Sequence, residues 1–259
     1  MKRLIRWALK FLPRPLMQRM AGRLIPLWGL FLRGDRFRCP ICGHRFRKLL
    51  PYGYVQQRDN ALCPSCLSLE RHRLIWLWLE RESDLLKRCP QLLHIAPEVC
   101  LMRHFKKSYQ AHPEHYTTAD LESPLAQLHF DVEQIPLPDE RYEVVICNHL
   151  LEHVSDDLRA LRELWRILKP GGWGILLAPI DYRLATTFEN DSVTDPKERE
   201  RLFGQYDHRR LYGCDYPERL RQGGFEVEEI DYAAQLPAEE RERYALGSFD
   251  RLYIVRKRG

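Results

Sequence analysis

Two pairs of cysteines have the spacing of a metal site. The pairs are Cys39-x-x-Cys42 and Cys63-x-x-Cys66, and 20 residues separate them. Each short turn can bring two thiolates to one face, and two such turns complete the tetrahedron of ligands that zinc prefers. The spacing therefore predicts a four-cysteine zinc ribbon with a structural ion. Two disulfides in a secreted domain, or unrelated buried thiols, are the alternatives.

Two acidic residues further along the chain have positions suited to binding a nucleoside. Asp120 ends a predicted strand and lies 24 residues after Ala96, where the preceding strand ends. In a doubly wound sheet, a carboxylate at this position accepts hydrogen bonds from a ribose. Asp131 precedes the segment Ile135–Asp139 and could accept a hydrogen bond from an adenine amino group. For each residue taken singly, a solvated loop carboxylate is the alternative.

The elements that must position these residues alternate between strands and helices from about residue 89, which indicates an α/β domain with a parallel sheet. A first helix, Leu67–Glu80, is expected to leave the second cysteine pair, and the clearest later helices are Ser155–Leu168, with Ser155 as N-cap, and Tyr216–Gln222. The predicted strands are Gln91–Ala96, His115–Ala119, Glu143–Cys147, Trp173–Ala178, Phe225–Tyr232 and Leu252–Arg256. We therefore expect a basic arm at 1–38, the zinc ribbon and its linking helix at 39–88, and the α/β domain at 89–259.

The segments Leu137–Val154 and Leu161–Gly172 resemble the class I S-adenosylmethionine-dependent methyltransferases, specifically those of methyltransferase type 11. The resemblance covers about 89–259, and its most specific parts are Leu-Glu-His-Val and Leu-Lys-Pro-Gly-Gly. It implies a Rossmann-like, seven-stranded sheet and S-adenosylmethionine as cofactor. It also implies that Asp120 binds the ribose, Asp131 the adenine, and Asn148 the cofactor at the end of the fourth strand. The ribbon and the segment Gly204–Gly213 look like one bacterial subgroup of these enzymes.

The first turn of the α/β domain departs from that family, which has an acidic residue followed by a glycine-rich loop. Here the stretch Leu93–Cys100 holds no glycine. Ala96 is small enough for close approach to the cofactor, whereas Pro97 does not obviously replace a glycine. We expect Glu98 to reach the cofactor's ammonium group and His94 to take the place of the acidic residue. The alternative is a rigid turn in a protein that has lost cofactor binding.

Three histidines are candidates for catalysis in such an enzyme. Methyl transfer needs chiefly an aligned nucleophile, but an oxygen or nitrogen acceptor can also require removal of a proton near neutral pH. His149 and His153 follow the fourth strand, and His208 lies in a long polar insertion, 181–214, that we expect to cover the substrate. For His153, capping or packing under the adjacent helix is the alternative. The insertion itself could instead be a solvated excursion.

The positive charge of the chain is concentrated at its N-terminus. Residues 1–38 hold ten lysines and arginines and one acid, whereas the rest is slightly acidic. The first twelve residues form an amphipathic pattern that could lie on an anionic membrane or pack on the protein itself. The longest apolar run, Leu24–Leu32, has nine residues, about half of what a membrane-spanning helix needs. We expect a cytoplasmic protein, with peripheral contact at the inner face of the membrane as an option.

Two functions compete at this point. The first is transfer of a methyl group from S-adenosylmethionine to an unidentified oxygen or nitrogen acceptor, with a small molecule or saccharide as the expected partner. The second is a binding module, in which the ribbon recognises nucleic acid or protein and the α/β domain is an inactive scaffold. Arg45, Arg47 and Lys48 could touch phosphates. Since the sheet domain is slightly acidic, nucleic acid is the less favoured partner.

Overall fold

The computed structural model describes residues 29–53, 57–247 and 251–259. Its contacts divide the chain into two units: Met1–Leu77 with Ala233–Asp250, and Trp78–Tyr232 with Arg251–Gly259. The sequence placed the boundary at residue 88, and it did not indicate that a C-terminal segment joins the N-terminal unit. Most of the basic arm, residues 1–28, lies outside the described residues, and so does its predicted membrane contact.

The N-terminal unit contains two antiparallel strand pairs. Strand β1 (Arg33–Arg38) pairs with β2 (Arg45–Phe46), and β3 (Leu50–Tyr52) pairs with β4 (Arg58–Leu62). One cysteine pair lies between β1 and β2, and the other follows β4. Helix α1 (Glu70–Arg81) comes next, and the division between the units falls within it.

The two cysteine turns have the same backbone geometry. Gly43 N–H donates to Cys39 O at 2.9 Å, and Leu67 N–H donates to Cys63 O at 3.0 Å. The donor residue has a positive φ in both turns, 74° at Gly43 and 61° at Leu67. Glycine adopts this conformation freely, while leucine does so at a cost of about 1–2 kcal/mol. The turns are therefore built alike although only one of them carries a glycine at this position.

Arg73 holds the inner part of this unit together. Its side chain is fully buried and donates to the carbonyl oxygens of Ala61 and Ser68 at 2.9 and 3.1 Å. It also donates to the carbonyl oxygens of Tyr244 and Ala245. These two residues follow a short helix, Ala238–Arg243. One buried guanidinium thus connects the second cysteine turn with a segment about 170 residues later in the chain.

The second unit is built on a seven-stranded sheet. Its five parallel strands are Leu92–Ile95 (β5), Tyr116–Asp120 (β6), Leu128–His129 (β7), Tyr142–Asn148 (β8) and Leu168–Leu177 (β9). Its antiparallel edge consists of Glu226–Ile230 (β12) and Leu252–Arg256 (β13), of which β13 pairs with β9. The order of the strands across the sheet is β12-β13-β9-β8-β5-β6-β7. The expected Rossmann-like α/β sheet of seven strands is confirmed.

Helices connect these strands, and the insertion after β9 forms a small strand pair of its own. Phe188–Glu189 (β10) pairs antiparallel with Arg210–Leu211 (β11). The helices of this unit are Leu85–Arg88 (α2), Val99–Ser108 (α3), Asp157–Ile167 (α4), Pro196–Phe203 (α5) and Tyr216–Gln222 (α6). A single turn of 3-10 helix spans Pro113–His115, and a four-residue helix spans Tyr232–Gln235.

Several boundaries differ from the sequence predictions. The N-cap of α4 is Asp156, not Ser155, because the Asp156 carboxylate accepts the Arg159 N–H at 2.9 Å. The helix ends at Ile167, one residue before the predicted end, and Pro170 lies inside β9, which begins at Leu168. Strand β7 was missed because two residues carry no alternating pattern, and α3 was also not predicted.

No helix in the described ranges is long and apolar enough to cross a bilayer.

We expect Gly174→Ala to destabilise the sheet. A methyl group at Gly174 would lie 2.6 Å from the Val145 carbonyl oxygen, between the paired strands β8 and β9. Because neither backbone can move without breaking the ladder, the loss in unfolding free energy should be about 3 kcal/mol.

Gly171→Ala is the matched control for this substitution. Its methyl group meets open space, but φ is 75°, so only backbone strain of about 1 kcal/mol is expected. Urea unfolding of both variants measures the difference. Equal losses would show that the close approach at Gly174 does not constrain the sheet.

Candidate functional site

A cleft of about 270 Å³ opens at the carboxyl ends of β5, β6 and β8. Parallel strands turn at the same edge, so the residues that follow them meet there. The cleft is lined by Ile95, Ala96, Asp120, Leu121, Phe130, Asp131, Val132, Glu133, Leu150, His153, Val154 and Ser155. Both aspartates expected to read a nucleoside thus lie in one cavity.

The two aspartates are held by their own loops. Asp120 Oδ1 accepts the backbone N–H groups of Glu122 and Ser123 at 2.9 and 2.8 Å. Asp131 Oδ1 accepts the N–H of Glu133 at 2.9 Å. Each carboxylate is therefore fixed through its Oδ1 atom by the backbone of the loop that follows it. This geometry suits hydrogen-bond acceptance from hydroxyl or amino groups.

Ala96, at the first turn, has the backbone conformation that a glycine would adopt there. Its φ is 49°, in the left-handed region, and its N–H donates to Ala119 O at 2.8 Å. An alanine in this conformation costs about 1–2 kcal/mol, and its small side chain lines the cleft. Pro97 and Glu98 are not among the lining residues, so the turn does not fill the cavity.

The other residues expected at the first turn form one chain of hydrogen bonds. Buried His94 contacts the Tyr116 hydroxyl through Nδ1 at 3.0 Å and Glu98 Oε2 through Nε2 at 2.8 Å. The Asn148 side-chain amide donates to the other Glu98 oxygen at 3.2 Å. His94, Glu98 and Asn148 are thus brought together, although not among the residues that line the cleft.

The three candidate histidines lie near one another beside Glu152, a residue of the Leu-Glu-His-Val motif to which no role was assigned from the sequence. Glu152 is 1% exposed; His149 Nδ1 lies 3.5 Å from its Oε1 and His153 Nε2 lies 4.0 Å away. The rings of His153 and His208 pack edge to face with centroids 4.8 Å apart. Of the three histidines, His153 lines the cleft.

Burial and charge set the protonation of this group. Burial disfavours ionisation of Glu152, but the hydrogen bond and charge of His149, with the charge of His153, lower its pKa below the usual value. Burial lowers the pKa of His208, which favours the neutral ring. The lowered pKa values therefore favour an anionic Glu152 carboxylate and a neutral His208 imidazole.

The insertion after β9 is anchored to the loop that carries these residues. The Arg210 side chain, 2% exposed, donates to the carbonyl oxygens of Leu151, Val154 and Ser155 at 2.7–2.9 Å. Asp157 Oδ2 lies 3.9 Å from Arg210 Nε, and the Asp157 carboxylate accepts hydrogen bonds from Tyr212 and Arg219 at 2.6–2.8 Å. The insertion thus contacts the loop of residues 151–155 directly through a buried arginine. This part of the insertion is therefore not a solvated excursion.

The four cysteines expected to bind zinc form a cluster in the N-terminal unit. Their Sγ atoms lie within 4.8 Å of one another, and the pairs Cys39–Cys66 and Cys42–Cys63 are 3.6 and 3.8 Å apart. Zinc–sulfur bonds of about 2.3 Å in a tetrahedron separate the sulfur atoms by about 3.8 Å. The Ser68 hydroxyl lies within hydrogen-bond range of the Cys39 and Cys66 sulfurs. All eight cysteines are among the described residues and none forms a disulfide, so the geometry fits a four-thiolate ion site.

The substitution Asp157→Asn should lower the free energy of unfolding and make that free energy less dependent on pH. Burial opposes ionisation of Asp157, but Arg219, Arg210 and the Tyr212 hydroxyl outweigh it and hold the pKa below the usual value. The folded protein therefore gains stability above the unfolded-state pKa of about 3.9 and loses it as pH falls through the lower folded value. At pH 7 we expect the variant to lose about 3 kcal/mol of unfolding free energy. This difference should shrink below pH 4.

Urea unfolding across pH 3–7 measures both effects. Glu198→Gln, in the exposed pair with Arg201, is the control and should unfold as wild type does, because exposed ion pairs contribute little to stability. A difference between wild type and Asp157→Asn that stays constant across this pH range would contradict the account.

Comparison with known protein families shows that residues 91–176 match a family described as a methyltransferase domain. The matched stretch runs from β5 into β9 and contains both cleft aspartates. Outside this stretch, the family model does not cover the cysteine cluster or the insertion after β9.

Two curated relatives match shorter parts of the chain. A probable S-adenosylmethionine-dependent methyltransferase of Mycolicibacterium smegmatis is 28% identical over 101 residues, 39% of this chain and 35% of that protein. The ubiquinone/menaquinone biosynthesis C-methyltransferase UbiE of Vibrio campbellii is 40% identical over 42 residues, 16% of each protein. The chain thus spans about a third or less of the length of these relatives.

Among solved structures, a SAM-dependent methyltransferase from Archaeoglobus fulgidus is similar with a TM-score of 0.44 and 16% identity, over 72% of this chain and 94% of that one. A putative methyltransferase from Bacillus halodurans is similar with a TM-score of 0.41 and 18% identity, over 67% of this chain and 97% of that one. Neither likeness bears on activity. The family match alone places a methyltransferase domain on the stretch that builds the cleft, residues 91–176.

Proposed function

We propose that this chain is an S-adenosylmethionine-dependent methyltransferase that acts on an oxygen or nitrogen acceptor. The observation that carries the proposal is that Asp120 and Asp131 line one cleft at the carboxyl edge of the sheet. That cleft lies within the stretch that matches a methyltransferase domain. In a scaffold that binds no nucleoside, nothing would require both carboxylates to face the same cavity.

The residues around the cleft fit this cofactor. Asp120 would accept hydrogen bonds from the ribose hydroxyls and Asp131 from the adenine amino group, while Phe130, Val132 and Leu150 supply apolar walls for the base. Ala96, with its left-handed backbone, allows close approach without a glycine. This supports retained cofactor binding at the glycine-free turn.

Glu98 is proposed to bind the cofactor's ammonium group. Its carboxylate is held by His94 on one oxygen and by Asn148 on the other, and its side chain is 16% exposed. A carboxylate fixed in this way loses little rotational entropy when it binds a cation. His94 then serves as the buried support that an acidic residue provides in the family pattern.

When bound, S-adenosylmethionine supplies an electrophilic methyl group, and the protein has to hold the acceptor in line with it. Among the candidate histidines, His153 lines the cleft and is therefore placed to contact the acceptor. His149 and His208 would act through Glu152 and His153. A small molecule or saccharide remains the acceptor we propose, because the domain that builds the cleft has no excess of basic residues.

The four-cysteine cluster is proposed to hold a structural zinc ion. Cys39, Cys42, Cys63 and Cys66 would fill all four tetrahedral positions, which leaves none open for chemistry. The two turns and the Ser68 hydroxyl arrange the sulfur atoms around the ion. The cluster is therefore assigned to folding of the N-terminal unit and not to catalysis.

Asp120→Ala should weaken binding of S-adenosylhomocysteine by about 10- to 100-fold, because hydrogen bonds to a charged group are worth about 1.5–3 kcal/mol. Isothermal titration calorimetry measures this. Glu122→Gln, an exposed substitution two residues away, is the control and should bind as wild type does. No binding by folded wild-type protein would overturn the enzyme proposal and favour the inactive scaffold with a binding ribbon.

Cys63→Ser should lose one zinc ion per chain and unfold the N-terminal unit, since structural zinc contributes directly to folding. Cys214→Ser, at an exposed cysteine outside the cluster, should keep its zinc and its stability. Zinc content by mass spectrometry and thermal unfolding are the measurements. A Cys63→Ser variant that keeps fold and zinc but loses turnover would contradict a structural role.

A further inference from the structure

We propose that Glu152, His153 and His208 form a second metal site, for a divalent first-row transition ion, at the edge of the cleft. Their ligand atoms all lie within 4.8 Å of one another. Two imidazoles and one carboxylate are a donor set typical of zinc and iron sites that keep a coordination position open. These three side chains alone define the metal site, which does not depend on the methyltransferase proposal.

Two buried atoms in this cluster lack a hydrogen-bond partner. Glu152 and His208 are 1% and 3% exposed, yet Glu152 Oε2 and His208 Nε2 make no hydrogen bond. A buried polar atom without a partner costs about 1–3 kcal/mol. A cation bound by Glu152 and His208 would satisfy both atoms at once.

The second ring nitrogen of His208 has a partner typical of a metal ligand. His208 Nδ1 lies 3.0 Å from Phe203 O, so Nδ1 carries the proton and Nε2 presents its lone pair. In His153, Nδ1 lies 3.7 Å from Asp207 Oδ2, which is an ion-pair distance and not a hydrogen bond, and Nε2 lies 4.0 Å from Glu152 Oε1. Metal-binding histidines commonly donate their second N–H to a carbonyl or a carboxylate in this way.

The protein also fixes the backbone around the three ligands. Arg210 donates to Leu151 O and Val154 O on either side of the Glu152–His153 pair, and Arg209 N–H donates to Glu152 O at 2.8 Å. Ligand bonds of about 2.1 Å in a tetrahedron separate the donor atoms by about 3.4 Å. Modest side-chain rotations would close the present separations to that value.

Because His153 also lines the cleft, the open coordination position would face it. An ion there would bind an oxygen of a molecule that enters the cleft, such as a hydroxyl or a carboxylate. If the chain transfers a methyl group as proposed above, the acceptor would be a compound with an oxygen donor.

Zinc content tests the site. Wild-type full-length protein and the variants Glu152→Gln and His208→Gln are equilibrated with zinc, freed of excess by gel filtration and measured by mass spectrometry. We expect each variant to hold one zinc ion per chain fewer than wild type, whatever the cysteine cluster binds. Equal zinc content in wild type and both variants would overturn the proposal.

His112→Gln is the matched control, since His112, Glu114 and His115 form an exposed cluster of the same composition. This variant should keep the wild-type zinc content; loss of the second ion here would assign it to the surface and overturn the proposal. If a buried variant fails to fold, histidine ring nitrogen NMR of wild type serves instead. Zinc should then shift the signals of His153 and His208, and unshifted signals would contradict the site. S-adenosylhomocysteine binding, measured separately, shows whether the methyltransferase proposal stands or fails independently.

Discussion

Parallel pairing of β5, β6 and β8 is the constraint on which the candidate site depends. Parallel strands end at the same edge, so the chain has to turn there three times within a small space. Two of these turns use left-handed backbone without glycine, at Ala96 and His149, with φ of 49° and 53°. Strained non-glycine residues persist where surrounding structure holds them, and such positions often accompany function. The cleft and its aspartates are a direct result of this arrangement.

A second interaction holds the insertion after β9 against the loop that follows β8. Buried Arg210 belongs to the insertion after β9, yet its hydrogen bonds go to the loop of Leu151, Val154 and Ser155. The same insertion supplies His208, which packs against His153. An exposed, weakly bound lid would not need a buried arginine. The part of the insertion that contains Arg210 and His208 is therefore anchored beside His153.

Sequence patterns predicted the parts of the molecule whose causes are local. The cysteine cluster and the two cleft aspartates follow from short motifs. Most strands of the sheet follow from periodicity, and their predicted bounds agree with the structure to within a few residues. The buried arginines could not be anticipated, because Arg73 and Arg210 look like ordinary charged residues until distant carbonyl groups surround them. Glu152 belongs to a motif that the sequence shows, but its role could not be anticipated for the same reason. Its importance comes from His208, 56 residues away, which only the folded chain brings near.

The central claim is that the cleft holds a nucleoside between Asp120 and Asp131. A crystal structure of the protein grown with S-adenosylhomocysteine tests it most directly. The account predicts density for the ligand in the cleft, with its ribose hydroxyls on the Asp120 carboxylate and its adenine amino group near Asp131. Ligand density at another place on the protein, or a ribose that contacts neither aspartate, would contradict it.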